Sequence, residues 1–340
     1  MFTRDIGVDL GTSNTRVCLK GRGIITSDPS VVAYDVSTDV IRAVGKYAKD
    51  MIGRTPGSIV AVKPLKDGVI ADFDVTTAML RQFVRKAQKG SLFSRVRMVI
   101  CLPSGITEVE TRAVYDAAKQ AGATDIDLVE ALMSSAVGAG LPVLEAKGNM
   151  IVDIGGGTTE AAVISLGDIV TSQSIRVAGD KLDEAIISHI RKKHNLLIGE
   201  ATAEKIKIEI GSALPFENEP ELEIRGRNLA DGLPKNITIS GEFVRSAMQG
   251  VINQIVDVIR TTLERTPPEL SADIIDTGIN ICGGTALLPG LCELISEETG
   301  MSVHVVDKPF DCGVIGTESR LENDPIFANY VFKRAKQYKV

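Results

Sequence analysis

With 340 residues, 44% of them hydrophobic, and a net charge of −6 at neutral pH, the chain is long enough to bury the cores of two ordinary domains. Its acidic balance, with a pI near 5.3, argues against a nucleic-acid partner, which would call for a basic face. Five cysteines, Cys18, Cys101, Cys282, Cys292 and Cys312, are odd in number and never form a C-x-x-C pair, so buried thiols in a reducing cytoplasm are expected rather than a disulfide or zinc framework.

From the N-terminus, MFTRDIGVDL enters a strand without an apolar leader. No stretch approaches the ~18 apolar residues of a membrane span, and a cytoplasmic protein is expected. Ile6, Val8 and Leu10 alternate around Asp9, and Gly11, Thr12, Ser13, Asn14 and Thr15 form a small polar turn before Val17 and Leu19. Residues 4–34 read as a meander of three or four short strands. Residues 41–72 read as loops and short helices, with turn signals at Pro56-Gly57 and at Lys63-Pro64 through Gly68. The spacing of Met79, Leu80, Phe83, Val84 and Ala87 predicts a helix over 76–89. The loop after it shows Leu92 and Phe93 among Lys86, Lys89, Arg95 and Arg97. A solvated loop has little reason to display two large apolar side chains, so the pair either folds back onto its own domain or enters a membrane surface.

A buried strand over 97–102 comes next. Thr107 and Glu110 then form a capping box that opens a helix ending at Gly122. A short strand over 126–129 and a small-residue helix over 130–139 complete an α/β alternation. Residues 150–166 are the most informative stretch. Apolar residues lead into Asp153, then come Gly155, Gly156 and Gly157, then Thr158, Thr159, Glu160 and a second apolar run. This is strand, glycine turn, strand. Three glycines remove every Cβ, so successive N–H groups can face one concavity and hold a phosphate. The leading Asp suits a hydrated Mg2+. An ordinary hairpin turn has the same glycines, but the unit occurs twice, led by Asp9 and by Asp153. Two such loops can close on one nucleotide from opposite sides, with a metal between the carboxylates.

Beyond it, Asp180 reads as the cap of a helix whose stripe is Leu182, Ala185, Ile186, His189 and Ile190. A helix from Gly199 puts Glu204 and Lys207 on one face, where they either reach a ribose together or pair with each other in solvent. Residues 219–239 read as surface strands. Val244, Met248, Val251, Ile255, Ile259 and Leu263 predict a long helix over 242–264 that stops before Pro267-Pro268. A strand over 279–282 runs into Gly283, Gly284, Thr285 and Ala286, a third small-residue turn, which is expected to open a helix and to accept the base and sugar edge of a nucleotide. His189, His194 and His304 have no clustered partner and read as structural. Residues 326–340 form a basic tail.

Taken together, Asp9-Leu10-Gly11-Thr12-Ser13-Asn14-Thr15, Asp153 through Glu160, Gly199 through Glu204, and Gly283 through Leu288 strongly resemble the bacterial rod-shape-determining actin homologues, MreB and its Mbl-type paralogues. The match spans roughly residues 4–320 and extends to stretches without obvious chemistry, such as Lys66 through Asp72. It implies the actin fold, a duplicated ribonuclease H-like α/β architecture. Two domains, 1–147 and 148–325, each with a smaller subdomain near 33–75 and 182–245, would enclose ATP or ADP with Mg2+. Gly11, Thr12, Ser13 and Asn14 would contact the phosphates from one side and Gly155, Gly156, Gly157 and Thr158 from the other. Asp9 and Asp153 would hold the metal's waters, Glu204 and Lys207 would face the ribose and adenine, and Gly283, Gly284, Thr285 and Ala286 the nucleoside. The family forms double antiparallel protofilaments on the inner membrane face that guide the cell-wall elongation machinery, and its relatives use an apolar loop at the place of Leu92 and Phe93 to enter the membrane.

Three departures from the family pattern bear on activity. Most relatives read Glu-Glu-Pro where this chain has Glu130-Ala131-Leu132, and the second glutamate is the one that activates water. A one-residue shift on a helix turns a side chain by about 100°, so Glu130 does not simply take over. That leaves Thr158, whose hydroxyl can hydrogen-bond the water, and the displaced Glu130 as catalytic candidates, and a slow ATPase is expected. Thr285 replaces a usual third glycine, and Glu318 stands where relatives tend to have glycine, so both bear on nucleotide affinity. The rival readings are a soluble enzyme on the same fold, such as a sugar kinase or phosphatase, another actin-like filament such as a plasmid-segregation protein, and a chaperone ATPase. The last would need a substrate domain after the cleft, and the chain ends too soon.

Overall fold

The computed structural model describes residues 3–88 and 95–322. Leu92, Phe93, Lys89 and the 326–340 tail lie outside the described residues. The first half of the chain runs β1 (Thr3–Leu10), β2 (Asn14–Leu19), β3 (Gly23–Pro29), β4 (Val32–Asp35), β5 (Val40–Val44), α1 (Lys46–Met51), β6 (Ile59–Val62), β7 (Leu65–Lys66), β8 (Val69–Ile70), α2 (Phe73–Gln88), β9 (Arg95–Leu102), α3 (Glu108–Ala121), β10 (Asp125–Glu130) and α4 (Ala131–Gly138). The second half runs β11 (Asn149–Ile154), β12 (Thr159–Ser165), β13 (Asp168–Ile175), α5 (Gly179–His194), β14 (Leu196–Leu197), α6 (Glu200–Ile210), β15 (Glu221–Asn228), β16 (Pro234–Ser240), α7 (Gly241–Glu264), α8 (Pro268–Thr277), β17 (Ile279–Cys282), α9 (Leu291–Thr299), β18 (Val303–Val305) and α10 (Cys312–Leu321).

The duplication suggested by the two Asp-led turns extends to the sheets. One five-stranded sheet has the order β3-β2-β1-β9-β10 and the other β13-β12-β11-β17-β18. In each, a three-stranded antiparallel meander continues into two parallel strands. Asp9 and Asp153 are therefore equivalent, each the penultimate residue of the strand at the centre of its sheet. Both glycine turns leave the carboxyl ends of those central strands, where open α/β sheets present their ligands. Two three-stranded sheets, β5-β4-β6 and β14-β15-β16, stand apart from the large ones.

One core lies under α2 and α3 on the first sheet and another under α5, α6 and α7 on the second. A third core joins the halves, where Cys18, Val99 and Cys101 of the first sheet meet Ile151, Ala162 and Cys282 of the second through α4 and α10. Small residues make that junction close. A Cβ on Gly138 would collide with the Cys312 carbonyl, and one on Gly316 with that of Ser134, which gives the small-residue helix a packing reason.

The capping box is formed, with the Glu110 N–H donating to Thr107 Oγ1 at 3.2 Å and the Thr107 N–H to Glu110 Oε2 at 2.8 Å. The stripe of α7 is buried as expected at Val244, Met248, Ile255 and Ile259, with Val251 and Leu263 at its margin. Three expectations are corrected. Residues 41–72 are not loops and short helices, since β5, β6, β7 and β8 run through them with α1 as the single helix. Asp180 is not the cap of α5, since Ala178 holds that position and Asp180 sits in the first turn. The third glycine turn opens only a single 3-10 turn, Thr285–Leu287, because Leu288 and Pro289 leave helical geometry and α9 begins at Leu291. The sequence also gave no sign of α8. There the second proline occupies a first-turn position, where its missing N–H costs nothing. Among the described residues no helix is long and apolar enough to cross a membrane.

Candidate functional site

The two glycine turns meet face to face between the halves. In the first, Ser30 holds the turn in shape: its Oγ donates to the Gly11 carbonyl at 2.6 Å and pairs with Thr15 Oγ1 at 2.8 Å, and its N–H donates to the Ser13 carbonyl at 3.0 Å. In the second, the Gly155 N–H donates to the Thr158 carbonyl at 2.9 Å. The Gly155 carbonyl accepts from Thr285 Oγ1 at 2.7 Å, and the Gly156 carbonyl accepts from the Asp180 N–H at 2.8 Å. A Cβ on Gly156 would collide with Ser13 Oγ, and one on Gly157 with Thr12 Oγ1. Only hydrogens fit where the loops face each other.

Between them lies a cavity of about 370 Å³, within the range of small-molecule sites. Its phosphate-sized end is lined by Asp9, Gly11, Thr12, Ser13, Asn14, Asp153, Gly155, Gly156, Gly157 and Thr158. The other end is lined by Glu204, Lys207, Gly283, Gly284 and Thr285. Ala286 is buried behind this wall and does not line it. The hydroxyl that Thr285 adds is spent on the Gly155 carbonyl, so it ties the third turn to the second. Glu318, on α10, is not part of the wall.

Glu204 and Lys207 do not pair with each other. Lys207 Nζ donates to the Gly179 carbonyl and to Asp183 Oδ2, each at 3.0 Å, while Glu204 meets Lys49 of α1 at 2.7 Å. Lys63 likewise lies 3.1 Å from Glu200 and 3.6 Å from Asp180. These pairs straddle the mouth of the cavity from opposite halves of the chain. Half-exposed as they are, each contributes little to stability.

Asp9 and Asp153 are both half-buried in the wall of the cavity. Burial pushes the Asp9 carboxyl up to about 7, against the lowering by Arg16 and with a further rise from the charge of Asp153. Burial also raises Asp153, opposed by the hydrogen bond from Ser135 Oγ at 3.0 Å. Glycines crowd both carboxylates: a Cβ on Gly313 would stand 3.1 Å from Asp9 Cγ, and one on Gly283, whose φ is +85°, 2.6 Å from Asp153 Oδ1. Among the described residues no three His, Cys, Asp or Glu side chains could enclose a metal unaided. A pair of hard carboxylates fits a cation that keeps waters and shares phosphate oxygens, as Mg2+ does.

Of the two catalytic candidates, Thr158 lines the cavity and Glu130 does not. Glu130 ends β10, where burial and the charge of Asp168 raise its pKa, while the next residue, Ala131, forms part of the wall. The sequence did not single out several wall residues. Gly68 donates its N–H to Thr12 Oγ1 at 2.9 Å, and with φ +81° and Thr158 Cγ2 only 2.7 Å from its would-be Cβ it must be glycine. That gives the stretch around Lys66-Asp67-Gly68 its place against both loops. Phe310 stacks under the Arg16 guanidinium at 5.3 Å and lies against Gly284. Asp183 and Glu160 are two more. Burial pushes Asp183 up to about 6 in spite of Lys207, and Glu160 up to about 8.

These shifts give a pH dependence. The carboxyls of Asp9 and Glu160, ordinarily at 3.8 and 4.5, titrate in the folded protein at about 7 and about 8. The folded state thus keeps protons that the unfolded chain has already released. This contribution to stability is present at acid pH and is lost as pH rises through the folded values, at about 1.4 kcal/mol per unit of difference. Asp9→Asn cannot ionise, so its melting temperature should climb relative to the wild type between about pH 5 and pH 8. Melting curves offset by a constant amount across that range would show that Asp9 ionises freely in the folded protein.

Comparison with known proteins agrees with this geometry. A family model described as MreB/Mbl protein matches residues 3–327. The cell shape-determining protein Mbl of Bacillus subtilis (strain 168) is 51% identical over 323 residues, covering 95% of this chain and 97% of that protein. The cell shape-determining protein MreB of Escherichia coli (strain K12) is 48% identical over 327 residues, covering 95% and 94%. Among solved structures, MreB 5 of Spiroplasma citri bound to AMPPNP superposes with a TM-score of 0.88 at 37% identity, covering 97% of each chain. The actin-like fold expected from the sequence is borne out, and with two duplicated α/β halves around one cleft and this likeness along nearly its whole length, the chain belongs to the MreB/Mbl family of actin-like, cell shape-determining proteins.

Proposed function

We propose that this chain binds ATP with Mg2+ between its two glycine loops, hydrolyses it slowly, and lets nucleotide state control assembly into filaments. The observation that carries the reading is the meeting of two Asp-led loops, equivalent in their sheets, around one cavity. The AMPPNP in the related Spiroplasma citri protein supports the choice of nucleotide. In this reading the domains are 1–147 and 148–325, and the separate three-stranded sheets support subdomains near 33–75 and 182–245. Gly11 through Asn14 and Gly155 through Thr158 cradle the phosphates, Asp9 and Asp153 hold Mg2+ through water, Glu204 and Lys207 face the ribose, and Gly283 through Thr285 border the base. When bound, Mg2+ neutralises charge on the phosphates. The chain's residues position the nucleotide and exclude bulk water, and the Thr158 hydroxyl orients the attacking water. Ala131 brings no carboxylate to that water from the α4 side, so turnover is slower than a glutamate there would give.

The filaments of this proposal are double and antiparallel, lie in the cytoplasm against the inner membrane face, and guide the cell-wall elongation machinery. Pelleting followed by electron microscopy tests the assembly. The protein should sediment as filaments with ATP and Mg2+ and remain in the supernatant without them. A protein that stays in the supernatant with ATP and lipid would favour a soluble enzyme on the same fold.

For the membrane we propose Leu92 and Phe93 as the inserting pair. Burying both side chains would contribute ~3 to 5 kcal/mol, and each free cation nearby ~1 kcal/mol against an anionic leaflet. Fewer cations are free than the sequence suggests. Arg97 is bound to Asp127 at 2.9 Å and Lys86 to Asp28 at 3.0 Å, while Arg95 is exposed. A single copy would bind weakly, and a filament presents many copies at once. Leu92→Ser with Phe93→Ser should therefore leave polymer formation intact and release the protein from anionic liposomes in flotation assays. Continued flotation would place the anchor elsewhere, and failure to fold would make the pair core.

A further inference from the structure

Ala131 brings no carboxylate to the cavity, and the wall offers one unused acidic group at the phosphate end. Glu160 stands on β12 directly opposite Asp153 of β11, and directly opposed residues of an antiparallel pair put their side chains on the same face of the sheet. That face is the cleft, and Glu160 and Ala131 both line it. Glu160 is only 2% exposed and is followed along its strand by the fully buried Ala161 and Ala162. A carboxyl group in such a place is costly unless its oxygens are satisfied. One of them is. Oε1 accepts from the Ser104 N–H at 2.9 Å and from Ser174 Oγ at 2.9 Å, the first donor from the segment after β9 and the second from β13. Both halves of the molecule thus fix the group. Neither bond falls on Oε2.

We propose that Glu160 supplies the carboxylate that Ala131 lacks, its Oε2 accepting a hydrogen bond from the water that attacks the terminal phosphate. The inference rests on the ATP reading above, in which a cation held by Asp153, directly across the ladder from Glu160, would offset the burial that otherwise keeps the Glu160 proton, so that Oε2 acts as a carboxylate. The water oxygen bonds to the terminal phosphorus as the bond from that phosphorus to the bridging oxygen breaks, with its electron pair leaving on the diphosphate. The water's proton passes to Oε2 and from there to the released phosphate.

Glu160→Gln separates this role from that of a mere tie between halves. The glutamine carbonyl can still accept from Ser104 and Ser174, while its NH2 replaces an acceptor by a donor at the Oε2 position. Three measurements are made on the full chain: melting temperature, affinity for a fluorescent ATP analogue with Mg2+, and single-turnover phosphate release. We expect melting at or above that of wild type, affinity within about threefold of wild type, and phosphate release slower by about 10²-fold. Adding Ala131→Glu to Glu160→Gln should restore release, since a carboxylate then stands on the neighbouring wall. Wild-type release by Glu160→Gln with nucleotide bound overturns the proposal, as does early melting or lost affinity in that variant, which would make Glu160 a structural tie. A wild-type protein that binds the analogue but never releases phosphate also overturns it and leaves the binding reading standing. No binding at all by the wild type would instead sink the ATP reading itself.

Discussion

Gly156→Val should abolish nucleotide binding while the protein remains folded. The backbone at Gly156 has no positive φ, so valine is not excluded by conformation. It is excluded by space. Its Cβ would overlap Ser13 Oγ and stand 2.8 Å from Ser13 Cβ, before either γ-methyl is placed. The sequence alone suggested that a side chain here would occupy the room of phosphate oxygens. The structure adds that it would also wedge the two loops apart, and with them the halves that carry Asp9 and Asp153. Neither central ladder need break for this to happen, since the turn lies beyond Ile154 and before Thr159. Gly57→Ala is the control, because nothing lies within 4 Å of its would-be Cβ. Calorimetry should show no heat of ATP binding for Gly156→Val and a melting transition close to that of wild type. Retained affinity would mean that phosphate does not approach this glycine.

What could be read in advance was what local chemistry repeats or signals. Two Asp-led small-residue turns predicted a duplicated unit, and the sheets show the same strand order twice. Thr107 with Glu110 predicted a capped helix, and the spacing of Val244, Met248, Ile255 and Ile259 predicted α7. What escaped notice depends on partners far apart in sequence. Glu204 and Lys207 share a helix face, yet Glu204 takes Lys49, 155 residues away, and Lys207 takes Asp183. Asp180, an obvious cap by composition, turns instead towards Ser13 and Lys63. Glu160 looked like the polar end of a motif, because alternation along a strand says which residues share a face but not what that face meets. Ser30 carried no signal beyond a turn, although it shapes the first loop. Gly68 has positive φ in a turn, and nothing local says that Thr158 will pack on it.

Ala131→Glu should raise the rate of phosphate release, by ~10²-fold if the new carboxylate is well placed, which is what a positioned general base ordinarily contributes. The geometry favours the attempt. Ala131 is the first residue of α4 and lies in the cavity wall, whereas Glu130, its neighbour at the end of β10, does not. A glutamate at 131 would enter the same end of the cavity as Glu160 and Asp153. There its charge would be disfavoured by burial and by like charges, and stabilised by a cation bound near Asp9 and Asp153. The gain should therefore be seen only with Mg2+ present, and the variant's melting temperature without nucleotide should fall as pH rises above the ordinary glutamate range. Wild-type release in the Ala131→Glu variant, with nucleotide bound, would show that the native wall already positions the water as well as a second carboxylate can. A native rate that is already fast would remove the premise that Ala131 slows the protein. Because Glu160 and position 131 face the same space, the two substitutions should not act independently: the Ala131→Glu gain measured on Glu160→Gln should exceed the gain measured on wild type, and equal gains would assign the two carboxylates to different steps.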